Sequence, residues 1–228
     1  MKTLRYILLA GVMTLAAACE KDNFDGPTAG LSGRIIDADT KLLVEQDIIR
    51  GTTIEITEHG YDPVKPQVLV VKTDGTYENS LLFENTYSVK PMRGNFVDVP
   101  SQDIQIKGKT VLDFSVTPYL RVQDLRVEKV GNLVVATFKL QQNVAGNVVK
   151  IGIYADKDQR VGEPMRLGQK EQDINAPADP NTTYRLEYNP DEFKTQMPLG
   201  KEYWFRVGAL ISIGEAKFNY AAPIKLAI

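Results

Sequence analysis

Cysteine is almost missing from this 228-residue chain, with Cys19 its single example. One cysteine forms no internal disulfide. Because it lies so near the N-terminus, the remainder of the chain has no thiolate for catalysis or metal binding. Histidine is as scarce. His59 stands alone, which excludes zinc sites built on two histidines. Its surroundings, Glu58-His59-Gly60-Tyr61-Asp62-Pro63, read as a turn. No Gly-rich phosphate loop and no serine in a nucleophile elbow are present. A strong charge of either sign is lacking too. The formal net charge is −2, so no basic field attracts a phosphate backbone and nucleic acid is not an expected partner. Long apolar runs are limited to Tyr6–Ala18, which falls short of the ~20 residues a spanning helix needs.

What is there begins with that short run. Lys2 and Arg5 precede it, Leu15-Ala16-Ala17-Ala18 ends it, and Cys19 follows. A basic start, a short apolar stretch and small residues at a cut site are the order of a secretory signal. With a cysteine next, the segment resembles the lipobox of bacterial lipoproteins. That resemblance implies cleavage before Cys19 and lipidation of Cys19, with ordinary secretion as the alternative. Residues 1–18 are thus expected to be a signal peptide, and their removal would leave 210 residues. Residues 19–28 (Cys19-Glu20-Lys21-Asp22-Asn23-Phe24-Asp25-Gly26-Pro27-Thr28) read as a polar tether. Acidic residues just after a lipidated cysteine resemble the surface-export signal of lipoproteins from Bacteroidetes-type glycan degraders. The implied location is the outer membrane, lipid-anchored and facing the exterior.

Beyond the tether, short β-rich runs alternate with turn residues, which points to an all-β fold. Leu31, Gly33 and Ile35 share one parity, Thr52–Thr57 alternates, and Asp74-Gly75 between two runs predicts a hairpin turn. Thr117-Pro118 closes this half, since proline removes a strand donor. A second series follows: Leu125/Val127, Val134/Ala136/Phe138/Leu140, Val149/Ile151/Ile153, Tyr184/Leu186/Tyr188, Tyr203/Phe205/Val207/Ala209 and Ile224/Leu226/Ile228. This is the pattern of a β-sandwich. The expected organisation is two sandwich domains in series, residues 29–118 and 119–228, with residues 156–183 as a long polar loop.

Gly33-Arg34-Ile35-Ile36-Asp37, Thr53-Ile54-Glu55-Ile56, Thr73-Asp74-Gly75-Thr76-Tyr77 and Tyr87-Ser88-Val89 resemble the carboxypeptidase-regulatory-like domain. The resemblance implies a transthyretin-like, non-catalytic sandwich with Tyr77 in its core. Met197–Ala209 resembles the end of a fibronectin type III domain, which makes Tyr203 a corner tyrosine whose hydroxyl returns to upstream backbone. Signal, tether and both domains together resemble lipoproteins encoded beside starch-utilisation-system-type (Sus-type) glycan importers. The implied role is glycan capture with importer subunits at the cell surface, without enzymatic activity or cofactor.

The residues themselves offer few sites. Asp37/Asp39 and Asp156/Asp158 are carboxylates two apart. Neither pair has the loop a calcium ion needs, so both read as turn residues. The 29 acidic residues contain no pair marked as a glycosidase acid and nucleophile. Strand parity gives a better lead. With Tyr203, Phe205 and Val207 inward, Trp204 and Arg206 point outward; with Val149, Ile151 and Ile153 inward, so do Lys150, Gly152 and Tyr154. Trp204, Arg206, Tyr154 and Lys150 are therefore the candidate ligand or partner surface. A tryptophan beside polar groups suits a sugar ring stacked on its face, and equally a protein interface or packing against the other domain. The two functional readings are a glycan-binding surface lipoprotein and a structural spacer or docking lipoprotein that binds no sugar.

Overall fold

The computed structural model describes residues 25–228. The signal reading and Cys19 lie outside the described residues. Every regular element described is a β-strand except one 3-10 turn, Pro190–Phe193, capped by the Asn189 side chain.

The first half runs β1 Ala29–Asp37, β2 Thr53–Glu58, β3 Gln67–Val70, β4 Thr76–Leu82, β5 Asn85–Met92, β6 Gln102–Ile106, β7 Lys109–Val111 and β8 Phe114–Val116. One sheet has the order β4-β1-β7, with β8 also pairing β1. The other has the order β3-β2-β5-β6. β1 alternates strictly, burying Ala29, Leu31, Gly33, Ile35 and Asp37. Leu31 and Ile35 meet Ile54, Ile56, Val89, Ile106 and Phe114 between the sheets. Each such side chain contributes about 1.5–3 kcal/mol by leaving water. Tyr77 is buried in the same core, and its hydroxyl donates to the Leu112 carbonyl.

The Asp74-Gly75 turn forms, with Gly75 at φ +81° and Gly75 N donating to Lys72 O at 2.9 Å. It is not a hairpin. β3 pairs β2 while β4 pairs β1, so the turn carries the chain from one sheet to the other. Val71, fully buried just before it, anchors the crossing in the core.

The second half runs β9 Leu120–Val130, β10 Leu133–Gln142, β11 Val148–Asp156, β12 Gly168–Ala176, β13 Tyr184–Tyr188, β14 Glu202–Ile211, β15 Asn219–Tyr220 and β16 Ile224–Ala227. The sheet β13-β10-β9 faces the sheet β12-β11-β14-β15, in which β16 also pairs β14. Val134, Ala136, Phe138, Ile151, Ile153, Phe205 and Val207 form the core between them. The Tyr203 hydroxyl donates to Pro198 O at 3.1 Å, the backward bond expected of it. A register shift between Val148 and Lys150 makes Val148, rather than Val149, the buried residue.

Residues 156–183 are not one loop. Their middle is β12, which pairs β11 from Ala155↔Gly168 to Val148↔Ala176. Its sequence, Gly168-Gln169-Lys170-Glu171-Gln172-Asp173-Ile174-Asn175-Ala176, is polar because an edge strand is mostly exposed and charge protects a free edge.

The two halves are bolted together by buried polar contacts. Asn95 Nδ2 donates to Phe218 O at 3.0 Å, and Asn219 Nδ2 donates to Asn95 O at 2.8 Å. Arg121 Nε and Nη2 donate to the two Asp37 oxygens at 2.5 and 2.7 Å, and Nη2 also reaches Asp39. The Asp37/Asp39 pair thus binds an arginine of the other half. Burial pushes the Asp37 carboxyl up, but bonds from Arg121 and from the Asp39 backbone outweigh it and bring its pKa to about 2. A carboxyl held below its unfolded value stabilises the fold above that value. The stabilisation disappears as pH falls through the folded one. Urea unfolding is therefore expected to lose about 2 kcal/mol between pH 5 and pH 2 through this group. In Asp37→Asn that part of the acid dependence should vanish. An unchanged acid slope would remove the contact from the account.

Candidate functional site

The four residues brought out by parity lie on one side of the C-terminal half, as expected. β11 and β14 are neighbours, pairing Tyr154 with Arg206 and Asp156 with Trp204. The expected open surface is nevertheless absent, because the other half of the molecule and the chain's own loops cover most of it.

Arg206 is fully buried. Its Nε donates to Ala221 O, Nη1 to Gln46 O and Val161 O, and Nη2 to Glu45 Oε2 and Thr73 O, at 2.5–3.2 Å. These five bonds match the five N–H groups a guanidinium carries. The Tyr220 ring lies 4.4 Å from its centre, and Tyr220 in turn donates its hydroxyl to Asp47. Burial pulls the Arg206 pKa down, opposed by Glu45 and Tyr220. Arg206 is a bolt between the halves and cannot meet a ligand.

Tyr154 is also fully buried. Its hydroxyl donates to Glu171 Oε1 at 2.7 Å, and Lys150 Nζ binds both Glu171 oxygens at 3.0 and 2.9 Å. Burial, then the bond to Glu171, pushes the Tyr154 phenol far up. Glu171 sits on the strand that the polar sequence concealed. Gly152 leaves room as expected, but for Tyr154 itself: a Cβ there would lie 2.5 Å from the Tyr154 hydroxyl. Tyr154 and Lys150 are thus internal ties of this sheet.

Trp204 differs. It is half-buried, packed on one side against the cluster of Tyr154, Val161, Phe218 and Tyr220. It also lines a groove of about 660 Å³ with Lys157, Pro198, Lys201, Glu202, Tyr203 and Lys225. β16 brings Lys225 opposite Trp204, its Nζ 6.0 Å from the ring centre and 2.6 Å from Glu202 Oε2. Nothing in the spacing of the three lysines singles them out; only the pairing of β14 with β16 and the turn after β11 assembles them. A larger cleft of about 810 Å³ follows the junction past Leu42, Leu43, Arg121 and Tyr220. Its charged groups Asp37, Arg121 and Glu45 already bind protein partners, so we place the candidate site at the Trp204 groove.

His59 lies in a surface constellation. Its Nε2 is 2.8 Å from Ser88 Oγ, and Ser88 donates to Asp103 Oδ1 at 2.6 Å. The carboxylate is on the serine, 3.7 Å from the same ring nitrogen. In a nucleophile relay it would orient the far nitrogen. Among the described residues no group of three or more His, Cys, Asp or Glu is placed to hold a metal ion.

A family model described as "Protein of unknown function (DUF3823) N-terminal domain" matches residues 29–117, and one described as "Domain of unknown function (DUF3823_C)" matches residues 120–225. This chain belongs to the DUF3823 family. Among solved structures, a Bacteroides uniformis protein described as a "putative carbohydrate binding protein" is 30% identical with a TM-score of 0.82, over 89% of this chain and 100% of that one. A DUF3823 family protein from Parabacteroides merdae is 20% identical with a TM-score of 0.76, over the same shares. One from Bacteroides ovatus is 23% identical with a TM-score of 0.73, over 87% and 98%. The latter two establish the shared fold alone. No curated protein matches this DUF3823 chain.

Proposed function

We propose that this chain is a non-catalytic, lipid-anchored cell-surface protein that binds polysaccharide at the Trp204 groove and assists a Sus-type outer-membrane importer. The observation that carries the reading is Trp204 itself: an indole packed against the buried Tyr154 cluster that also lines a groove with charged walls. An apolar sugar face stacks on such a ring while its hydroxyls meet the rim. The similarity to a protein described as a "putative carbohydrate binding protein" supports the same reading. Lipidation at Cys19 supplies the anchor. β1 then carries the chain away from the tether to the junction, roughly 26 Å at 3.3 Å per residue, which suits outward display.

The structural-spacer reading is favoured by one observation, the buried polar junction that ties the two halves to each other. Binding of residues 20–228, which contain both cores, to a panel of immobilised neutral and charged polysaccharides separates the two. Retention on at least one polymer is expected. Retention on none would leave the spacer. In a native host grown with a labelled fatty acid, the protein is expected to take up label that Cys19→Ala loses, and a wild-type protein without label would remove the lipid anchor.

A further inference from the structure

Resting on the reading of the Trp204 groove as a glycan site, we infer that its ligand is an anionic polysaccharide, with carboxylate or sulfate groups on or beside the sugar that stacks on Trp204. Four charged residues line the groove: Lys157, Lys201, Lys225 and Glu202. Glu202 is engaged by Lys225 at 2.6 Å. Among the described residues, Lys157 and Lys201 form no ion pair within 4.0 Å, and both are exposed. The nearby carboxylates point elsewhere. Asp156, opposite Trp204, accepts from the Asp158 backbone, and Asp158 is held by Arg160. An indole flanked by two unneutralised ammonium groups thus sits on a chain whose net charge is −2. What sets this lysine pair apart is the indole between them, since both line the groove that Trp204 lines. A neutral sugar would stack equally well on Trp204 and leave the lysine pair without a partner. A carboxylate or sulfate ester gives both lysines a charge-assisted bond.

Matched polymers test this. De-esterified homogalacturonan is compared with its fully methyl-esterified form, which keeps the backbone and removes the charge. Dextran sulfate is compared with dextran, which separates sulfate from carboxylate. Residues 20–228 should bind a charged member about tenfold more tightly than its neutral counterpart, and raising salt from 50 to 500 mM should erase most of the difference. Lys157→Gln with Lys201→Gln should abolish the preference with an unchanged melting curve, while Trp204→Phe should keep it. Equal binding of neutral and charged members, unaffected by the lysine changes but lost in Trp204→Ala, would overturn the anionic inference and leave the glycan reading standing. Charged polymers bound equally by Trp204→Ala would reduce the effect to bare charge and overturn the inference. Binding to no polymer, neutral or charged, would overturn both.

Discussion

Replacing Arg206 with alanine is expected to lower the unfolding free energy by about 3–5 kcal/mol and the melting midpoint by roughly 10 °C. The reason is the set of groups left behind. Four backbone carbonyls, Gln46, Thr73, Val161 and Ala221, lose a donor, and the Glu45 carboxylate loses the guanidinium beside it. Burial already pushes the Glu45 carboxyl up, with Arg206 opposing. Unpaired buried acceptors carry their full desolvation penalty. An exposed pair provides the contrast. Arg185 and Glu187 are each half-exposed, and Arg185→Ala should change stability by less than about 1 kcal/mol. Denaturant unfolding of both variants compares them directly. If Arg206→Ala behaves like Arg185→Ala, the junction is not held in the way described.

Trp204→Ala is expected to weaken polysaccharide binding about 30-fold, the effect of losing a central aromatic anchor worth about 2 kcal/mol. Its effect on folding should be much smaller than that of Arg206, roughly 1–2 kcal/mol, because the ring is only partly buried. Trp204→Phe should recover most of the affinity, since a smaller aromatic face still stacks. Isothermal titration against the polymer retained by the wild-type chain, with a melting curve for each variant, separates binding from folding. An affinity unchanged in Trp204→Ala would move the site away from this groove.

Much of the fold is legible in strand parity. Alternation alone places Tyr203, Phe205 and Val207 in the core and turns Trp204 and Arg206 away from it. Parity reports which side of a sheet a residue takes, not whether that side meets water. Arg206 is buried by Glu45, Gln46 and Thr73, between 133 and 161 residues away in sequence, and no local pattern carries such a contact. The Asp74-Gly75 turn was legible as a turn, but whether its flanking strands pair with each other depends on β1 and β2. The strand β12 stayed hidden because an exposed edge has no apolar alternation to read. At the candidate site, Trp204 could be found from sequence. Lys157, Lys201 and Lys225 could not, because surface lysines are common and only strand pairing gathers these three. The candidate surface of Trp204, Arg206, Tyr154 and Lys150 therefore contracts to Trp204 and gains lysines that spacing did not mark.

Trp204 is the chain's single tryptophan, so the tryptophan emission comes from a residue that lines the groove. The most direct measurement is the emission spectrum of residues 20–228 during titration with a polysaccharide that the protein retains. The expected result is a saturable shift or quench of the emission, with a midpoint equal to the dissociation constant from calorimetry. A polysaccharide that binds with the same stoichiometry while the emission stays unchanged would contradict a glycan site at Trp204.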